Sequence, residues 1–128
     1  MSGNFNLTNV SFPIKCMMPS TILEQTSLLQ SSCPMYLNLA ASLDDPVERF
    51  RLTMVNSIAY FYPSKCFEKP LNPVLGETYE ARGQDGAMIF CEQTSHHPPV
   101  SHYYIEGPDK NYIVHGYASF TVYLWPNS

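Results

Sequence analysis

The sequence predicts an α+β fold in which an amino-terminal arm and helices precede an antiparallel β-meander. Before Pro63, apolar residues recur at intervals of three and four, which is typical of helices. After Pro63 they alternate at intervals of two, which is typical of strands. No helical pattern separates the later strands, so parallel crossover connections are not expected among them.

Composition and charge narrow the class of protein. The 128 residues are enough for one domain, and a hydrophobic fraction of 45% is enough for a core. The formal net charge is -4 and no basic run occurs, which argues against nucleic acid as a partner and against a purely electrostatic hold on anionic lipid. No apolar stretch is long enough to span a bilayer, so any membrane contact is expected to be transient and peripheral.

The cysteines and the amino terminus indicate a cytoplasmic protein. The first residues lack the charged start and apolar run of a signal peptide. The cysteines are widely spaced, without a Cys-x-x-Cys pair, and are expected to be reduced thiols rather than a disulfide framework. They are Cys16, Cys33, Cys66 and Cys91.

The first half of the chain divides into an arm and a helical segment. Residues 1–19 fit neither a clean strand nor a long helix and are interpreted as an extended arm. A first helix is predicted to begin at Thr21, because Thr21 and Glu24 have the spacing of a capping box. The run that ends in Pro34 stops or interrupts it, and residues 35–43 are predicted to form a short helix.

The helix that follows has clearer boundaries. Asp45 can cap it, Pro46 suits its first position, and Pro63 ends it. Apolar residues at three- and four-residue spacing predict that one face of this helix is buried. These residues are Val47, Phe50, Met54, Ile58 and Phe61.

Five strands are predicted after Pro63, at residues 76–82, 87–94, 99–106, 112–118 and 119–125. Glycine-containing turns separate the first strand from the second and the third from the fourth. Several strands are apolar on both sides, so the sheet is expected to have apolar cover on each face. An open sheet of five strands leaves an exposed edge, so the chain is expected to be a fragment of a longer protein.

Two adjacent histidines followed by two prolines form the most unusual stretch, Glu92-Gln93-Thr94-Ser95-His96-His97-Pro98-Pro99. Neighbouring side chains of a regular strand point to opposite faces, so His96 and His97 can share a ligand only where the backbone departs from the pleat. Neither proline can donate to a sheet ladder, and Pro98 restricts the residue before it. The octet is therefore interpreted as a strand end that presents two imidazoles from a stiffened corner.

This octet resembles the signature of the oxysterol-binding protein family, Glu-Gln-Val-Ser-His-His-Pro-Pro, from which only Thr94 departs. Residues 69–80, Lys-Pro-Leu-Asn-Pro-Val-Leu-Gly-Glu-Thr-Tyr-Glu, also resemble a block of that family and stand at its spacing. The resemblance implies that the chain is the amino-terminal third of a lipid-binding domain and forms part of a large, incomplete lipid-binding β-barrel. In that arrangement residues 1–19 are a lid, residues 20–63 a helical segment and residues 64–128 the meander.

The resemblance also implies a non-enzymatic function in lipid binding and transfer between membranes. In the family a lysine, an asparagine and the two histidines bind the phosphate of phosphatidylinositol 4-phosphate, and the matching residues here are Lys69, Asn72, His96 and His97. The chemistry is suitable, because ammonium, amide and imidazole groups all donate hydrogen bonds to a phosphate. The exchanged lipid is expected to be a sterol or phosphatidylserine. The protein is expected at cytoplasmic membrane surfaces or membrane contact sites, without a cofactor.

Two other functions fit the residues less well. The four histidines, with Cys91 and Glu92, are zinc ligands by type, but their spacing matches no standard framework, so a zinc-dependent hydrolase is the weaker alternative. The Gly-x-Ser-x-Gly elbow of a nucleophilic serine is also missing. A β-rich interaction module, or a fragment without function, is a stronger alternative than the zinc-dependent hydrolase. His102 and His115 are predicted to be strand residues that face water or a polar neighbour.

Overall fold

The structure, a computed structural model, describes residues 5–6, 13–30, 34–62, 68–119 and 123–124. Within these ranges, a four-stranded antiparallel sheet follows three helices in the sequence. The helices are α1 (Ile22–Gln30), α2 (Pro34–Ala41) and α3 (Pro46–Ala59). The strands are β1 (Phe5–Asn6), β2 (Met17–Thr21), β3 (Lys69–Leu71), β4 (Thr78–Arg82), β5 (Met88–His96), β6 (Pro99–Glu106), β7 (Ile113–Ser119) and β8 (Tyr123–Leu124).

The predicted meander is formed by β4, β5, β6 and β7, each antiparallel to its neighbour. Four predicted strands correspond to these four, with small differences at their ends. The fifth, at residues 119–125, is different: β7 extends to Ser119, and β8 pairs with β1 among the described residues. Alternation predicts a strand but not its partner, because pairing between the two ends of a chain is non-local.

The core lies between α1 and one face of this sheet. Side chains along β5 alternate, so that Ile89, Cys91 and Gln93 are buried while Phe90 is exposed. Leu23 of α1 packs on the buried row and has 0% of its surface exposed. Burying a leucine contributes roughly 1.5–3 kcal/mol relative to exposing it, so this contact holds α1 on the sheet. The predicted apolar cover is therefore present on one face, and the strand residues of the opposite face are mostly exposed.

Both predicted helix starts are confirmed. The Thr21 amide donates to Glu24 Oε2 at 2.9 Å, and the Glu24 amide donates to Thr21 Oγ1 at 3.3 Å, which completes the capping box. At the start of α3, Asp45 Oδ1 accepts from the Val47 amide at 2.8 Å, and Pro46 is the first helical residue. The predicted short helix is α2, which begins at Pro34.

The predicted burial of one face of α3 is wrong. All five apolar side chains of that face are exposed, from 49% for Met54 to 69% for Ile58 and Phe61. Periodicity identifies the apolar face of a helix, but only the tertiary structure supplies its cover, and here α3 packs mainly against α2. No helix in the described part of the chain is long and apolar enough to cross a membrane.

Two short strands occur where the sequence predicted an irregular arm and a loop. β2 runs parallel to β3, with Met17 opposite Lys69 and Thr21 opposite Leu71. The register shifts between these two pairs. The end of the arm is therefore joined by strand pairing to the segment that begins with Lys69.

Asp85, in the turn between β4 and β5, connects α2 to the sheet. Its carboxylate accepts hydrogen bonds from Asn38 Nδ2 and the Tyr112 hydroxyl, both at 2.7 Å, and from the Ala87 amide at 3.1 Å. Asn111 Nδ2 donates in turn to Asn38 Oδ1 at 2.8 Å. Burial acts to raise the pKa of Asp85, but these hydrogen bonds outweigh it and hold the pKa below its ordinary value.

We expect Asp85→Asn to lower the free energy of unfolding at pH 7 by about 1–2 kcal/mol, because hydrogen bonds to a partly exposed carboxylate are lost. The pKa of Asp85 is lowered in the folded protein, so its stabilisation is present above the ordinary aspartate pKa of about 3.9 and is lost as the pH falls through the folded-state value. Urea unfolding at pH 7 and at pH 3 measures both effects. The exposed Asp44→Asn is the control, and an Asp85→Asn effect of equal size at both pH values would contradict this account.

Candidate functional site

The two histidines lie at the hairpin that joins β5 to β6. His96 is paired with Pro99, and His97 and Pro98 form the turn between them. The imidazole rings of His96 and His97 lie edge to face, with centroids 4.5 Å apart and planes at 72°. Adjacent side chains of a regular strand would point apart, so the end of the strand at this turn is what lets the two rings meet.

An extra residue in β5 precedes the histidines. Gln93 is paired with Ser101 and Ser95 with Val100, so Thr94 has no residue opposite it in β6. A bulge of this kind changes the direction of the side chains that follow it. Gln93 therefore belongs to the buried row, whereas the histidines beyond the bulge are presented at the end of the hairpin.

Asn72, in the loop after β3, approaches the hairpin from the other side. Its Nδ2 lies 3.3 Å from His96 Nδ1, and His96 Nδ1 lies 2.8 Å from the Pro73 carbonyl oxygen. A carbonyl oxygen only accepts, so the shorter contact requires a hydrogen on Nδ1 that is donated to Pro73. The Nε2 of His96 is then the ring nitrogen left for a ligand.

Backbone hydrogen bonds hold the loop of residues 72–77 against β5. The Gly76 amide donates to the Gln93 carbonyl at 2.8 Å, and the Gln93 amide donates to the Glu77 carbonyl at 2.9 Å. Gly76 has a φ of 77°, a left-handed conformation that glycine adopts without steric cost. The Glu77 carboxylate also accepts from the Val74 amide at 3.0 Å. These bonds fix the backbone that carries Asn72 relative to the hairpin.

Gln93 connects this loop to the sheet through its side chain. Its Nε2 donates to Asn72 Oδ1 at 3.2 Å and to the Ser95 carbonyl at 2.8 Å, and its Oε1 accepts from the Ser101 hydroxyl. Neither Gln93 nor Ser101 was predicted as a site residue. A signal was present, because Gln93 follows Cys91 in the inward row of β5 and a polar side chain in a buried row needs partners.

The structure brings together three of the four residues predicted to form the site. Asn72, His96 and His97 meet at this hairpin, and we call them the hairpin site. Lys69 begins β3, the strand that leads into Asn72, and is half-buried. Within the described ranges, no carboxylate forms a hydrogen bond or salt bridge with the three side chains of the hairpin site. The donors of the site are therefore not occupied by a carboxylate of these residues.

Other reactive side chains lie apart from this site. Burial raises the pKa of the Cys91 thiol to about 11, so it is a poor nucleophile at neutral pH. Among the residues that the structure describes, no group of three His, Cys, Asp or Glu side chains could hold a metal ion. His102 and His115 are exposed strand residues, as predicted, and His102 Nδ1 lies 2.7 Å from the Thr94 hydroxyl. A cleft of about 360 Å³ on the sheet is lined by none of the four predicted residues.

The relation to known proteins follows from a match over nearly the whole chain. The sequence profile described as Oxysterol-binding protein matches residues 4–128. The chain belongs to the oxysterol-binding protein family. A relative in Dictyostelium discoideum, oxysterol-binding protein 9, is 35% identical over 111 residues, which cover 87% of this chain and 26% of that protein. Human oxysterol-binding protein-related protein 1 is 33% identical over 126 residues, which cover 95% of this chain and 13% of that protein.

Solved structures of the oxysterol-binding protein family share the fold. The crystal structure of the Osh1 ORD domain in complex with ergosterol has a TM-score of 0.71 and 32% identity, over 81% of this chain and 25% of that one. The Osh3 ORD in complex with PI(4)P from Saccharomyces cerevisiae has a TM-score of 0.65 and 25% identity, over 77% of this chain and 27% of that one. The predicted family and the α+β class are confirmed, and the chain spans about a quarter of these relatives, with an open sheet.

Proposed function

We propose that this chain forms the part of a lipid-binding domain that recognises the headgroup of phosphatidylinositol 4-phosphate. The residues that bind its phosphate are Lys69, Asn72, His96 and His97. The lipid is exchanged between membranes for a second lipid, a sterol or phosphatidylserine. The protein acts in the cytoplasm, peripherally at membranes or membrane contact sites, and its function is binding and transfer rather than catalysis.

The observation that carries this proposal is the meeting of Asn72 with the paired imidazoles. Asn72 Nδ2 lies 3.3 Å from His96 Nδ1, and the rings of His96 and His97 are 4.5 Å apart. A phosphate monoester carries about -1.5 to -2 charges at neutral pH and accepts several hydrogen bonds. The side chain of Asn72, from the loop after β3, and those of His96 and His97, from the β5–β6 hairpin, lie next to one another, which supports the binding of such a group.

Each donor has a defined part in this binding. Asn72 supplies a neutral amide N–H donor. The orientation of this amide is fixed because its side-chain oxygen accepts a hydrogen bond from Gln93 Nε2. His96 uses Nδ1 to hold the Pro73 carbonyl and can offer Nε2 to the ligand. A phosphate close to the two rings favours their protonated forms, in which every ring nitrogen carries a hydrogen and donates. Lys69 adds a compact positive charge with three donors.

The ligands of two relatives support the lipid classes. The Osh3 ORD was solved in complex with PI(4)P, and the Osh1 ORD in complex with ergosterol and with cholesterol. Hiding a lipid tail from water is worth roughly 0.8 kcal/mol for each buried CH₂, so the tail needs an apolar container while the phosphate can be held at its mouth. The exposed apolar face of α3 is surface of the right chemistry for that purpose.

The proposal is tested by lipid uptake from vesicles. The purified chain is incubated with phosphatidylcholine vesicles that carry equal amounts of phosphatidylinositol and phosphatidylinositol 4-phosphate, and the lipids that leave with the protein are quantified by mass spectrometry. We expect the phosphorylated lipid to be taken up at least about tenfold more than the unphosphorylated one, since one charge-assisted hydrogen bond is worth more than 1.4 kcal/mol. Equal uptake of both lipids, or uptake of neither, would contradict the proposal.

A further inference from the structure

The backbone determines which way the Gln93 amide points. The side-chain atom that lies 2.8 Å from the Ser95 carbonyl must be a nitrogen, because a carbonyl oxygen cannot donate. The oxygen of the same amide then faces Ser101, whose hydroxyl donates to it. The orientation of Gln93 is therefore fixed at both ends by groups of the β5–β6 pair.

A hydrogen bond from Gln93 also fixes the orientation of the Asn72 side-chain amide. The second hydrogen of Gln93 Nε2 points at Asn72, 3.2 Å away, so the Asn72 atom at that position has to be the acceptor Oδ1. The Asn72 nitrogen is then the atom that faces His96. Gln93 has 0% and Ser101 has 3% of its surface exposed, so water cannot replace these partners and let the Gln93 amide turn over. Asn72 is itself exposed, and its orientation is set by the hydrogen bond that its Oδ1 accepts from Gln93 Nε2.

We infer that Ser101 and Gln93 are positioning residues that make the hairpin site select a ligand that accepts hydrogen bonds, such as a phosphate. A chain of hydrogen bonds runs from the Ser101 hydroxyl through Gln93 to Asn72, and each bond in it points toward the site. The consequence is that Asn72 presents a donor and not an acceptor. A phosphate, which only accepts when it is fully ionised, is matched by that direction, whereas a ligand that donates is not. This inference rests on the proposed binding of a phosphate at this site and adds the groups that specify it.

Ser101→Ala is the main test, because it removes the donor to Gln93 without adding charge. The buried hydroxyl of Ser27 in α1, also with 3% of its surface exposed, provides the matched control Ser27→Ala. We expect Ser101→Ala to lower the uptake of phosphatidylinositol 4-phosphate about fivefold and to leave the uptake of phosphatidylinositol unchanged, since one neutral hydrogen bond is worth about 1 kcal/mol. Ser27→Ala should leave the ratio of the two lipids unchanged.

Gln93→Glu tests the direction itself. The side chain in Gln93→Glu carries at most one hydrogen, which the Ser95 carbonyl requires, so the oxygen that replaces Nε2 has none left for Asn72, and Asn72 would have to turn its amide and present Oδ1 to the ligand. The side-chain amide resonances of Asn72 in ¹⁵N-labelled protein report this reversal, and titration with inorganic phosphate measures its effect. We expect these resonances to shift in wild type on addition of phosphate and not in Gln93→Glu. Because this variant buries a charge, Ser101→Ala remains the deciding variant if Gln93→Glu does not fold.

The outcomes separate this inference from the proposed function. Failure of the wild-type chain to prefer the phosphorylated lipid overturns both. If the wild-type chain prefers the phosphorylated lipid, and Ser101→Ala reduces this preference no more than Ser27→Ala does, the positioning role is overturned. The proposed function then still stands. A loss of uptake of both lipids in Ser101→Ala, together with a lowered unfolding midpoint, also overturns it, because the hydroxyl would then support only the fold.

Discussion

Replacement of both histidines of the hairpin, in His96→Ala/His97→Ala, should lower the affinity for phosphatidylinositol 4-phosphate by at least about 100-fold. The expected size follows from two charge-assisted hydrogen bonds of about 1.5–3 kcal/mol each, at 1.4 kcal/mol for every factor of ten. Binding of a fluorescent derivative of the lipid, titrated from phosphatidylcholine vesicles, measures the change. Uptake of phosphatidylinositol without the additional phosphate should change much less.

The chain offers a matched control for this experiment. His115→Ala removes an imidazole from an exposed strand position outside the hairpin site and should change affinity by less than about twofold. A third variant, His96→Asn, keeps a donor near the Pro73 carbonyl but removes the nitrogen that we assign to the ligand. It should lose affinity and retain the wild-type unfolding midpoint. Full binding by the double alanine variant would exclude the histidines from the site.

Leu23→Ala should be the most destabilising of the simple core substitutions. The side chain of Leu23 projects from α1 and is completely buried against the row of inward side chains on β5. Leucine-to-alanine changes at such positions lower the free energy of unfolding by about 2–5 kcal/mol. The cost combines lost burial with the cavity that remains. Unfolding in urea, followed by circular dichroism and tryptophan fluorescence, measures the difference from wild type.

Phe50→Ala is the comparison that gives the Leu23→Ala result its meaning. Both changes truncate an apolar side chain on a helix, but Phe50 has 65% of its surface exposed. Its truncation should therefore change the free energy of unfolding by less than about 0.5 kcal/mol. A loss comparable to that of Leu23→Ala would mean that the apolar face of α3 is covered in solution.

Local signals were sufficient to predict the helix starts and the strands of the meander. The Thr21–Glu24 capping box and the Asp45 cap depend on residues a few positions apart, and the structure contains both sets of hydrogen bonds. The meander follows from alternation and turn residues, which are also local. The partner of β8 and the cover of α3 depend on residues far away in the sequence, and no pattern within either segment specifies them.

The same division applies to the candidate site. The adjacent histidines and the Lys69–Asn72 block could be selected from sequence, because they resemble a family signature. That Asn72 meets His96 depends on two elements separated by β4 and its turn, and only the fold establishes it. Gln93 was within the quoted motif but received no role, because its importance lies in the direction of its hydrogen bonds and not in its chemical type.

The parallel pairing of β2 with β3 determines how the site responds to tension. The segment before Met17 leaves the pair at the end where Lys69 stands, and β3 is anchored at its other end by the loop that carries Asn72. A pull on the arm therefore acts on the two strands in shear, which loads their hydrogen bonds together instead of peeling them one by one. Under such a load the backbone of Lys69 moves with residues 13–16, so tension on that segment reaches Lys69 and, through β3, the loop that carries Asn72.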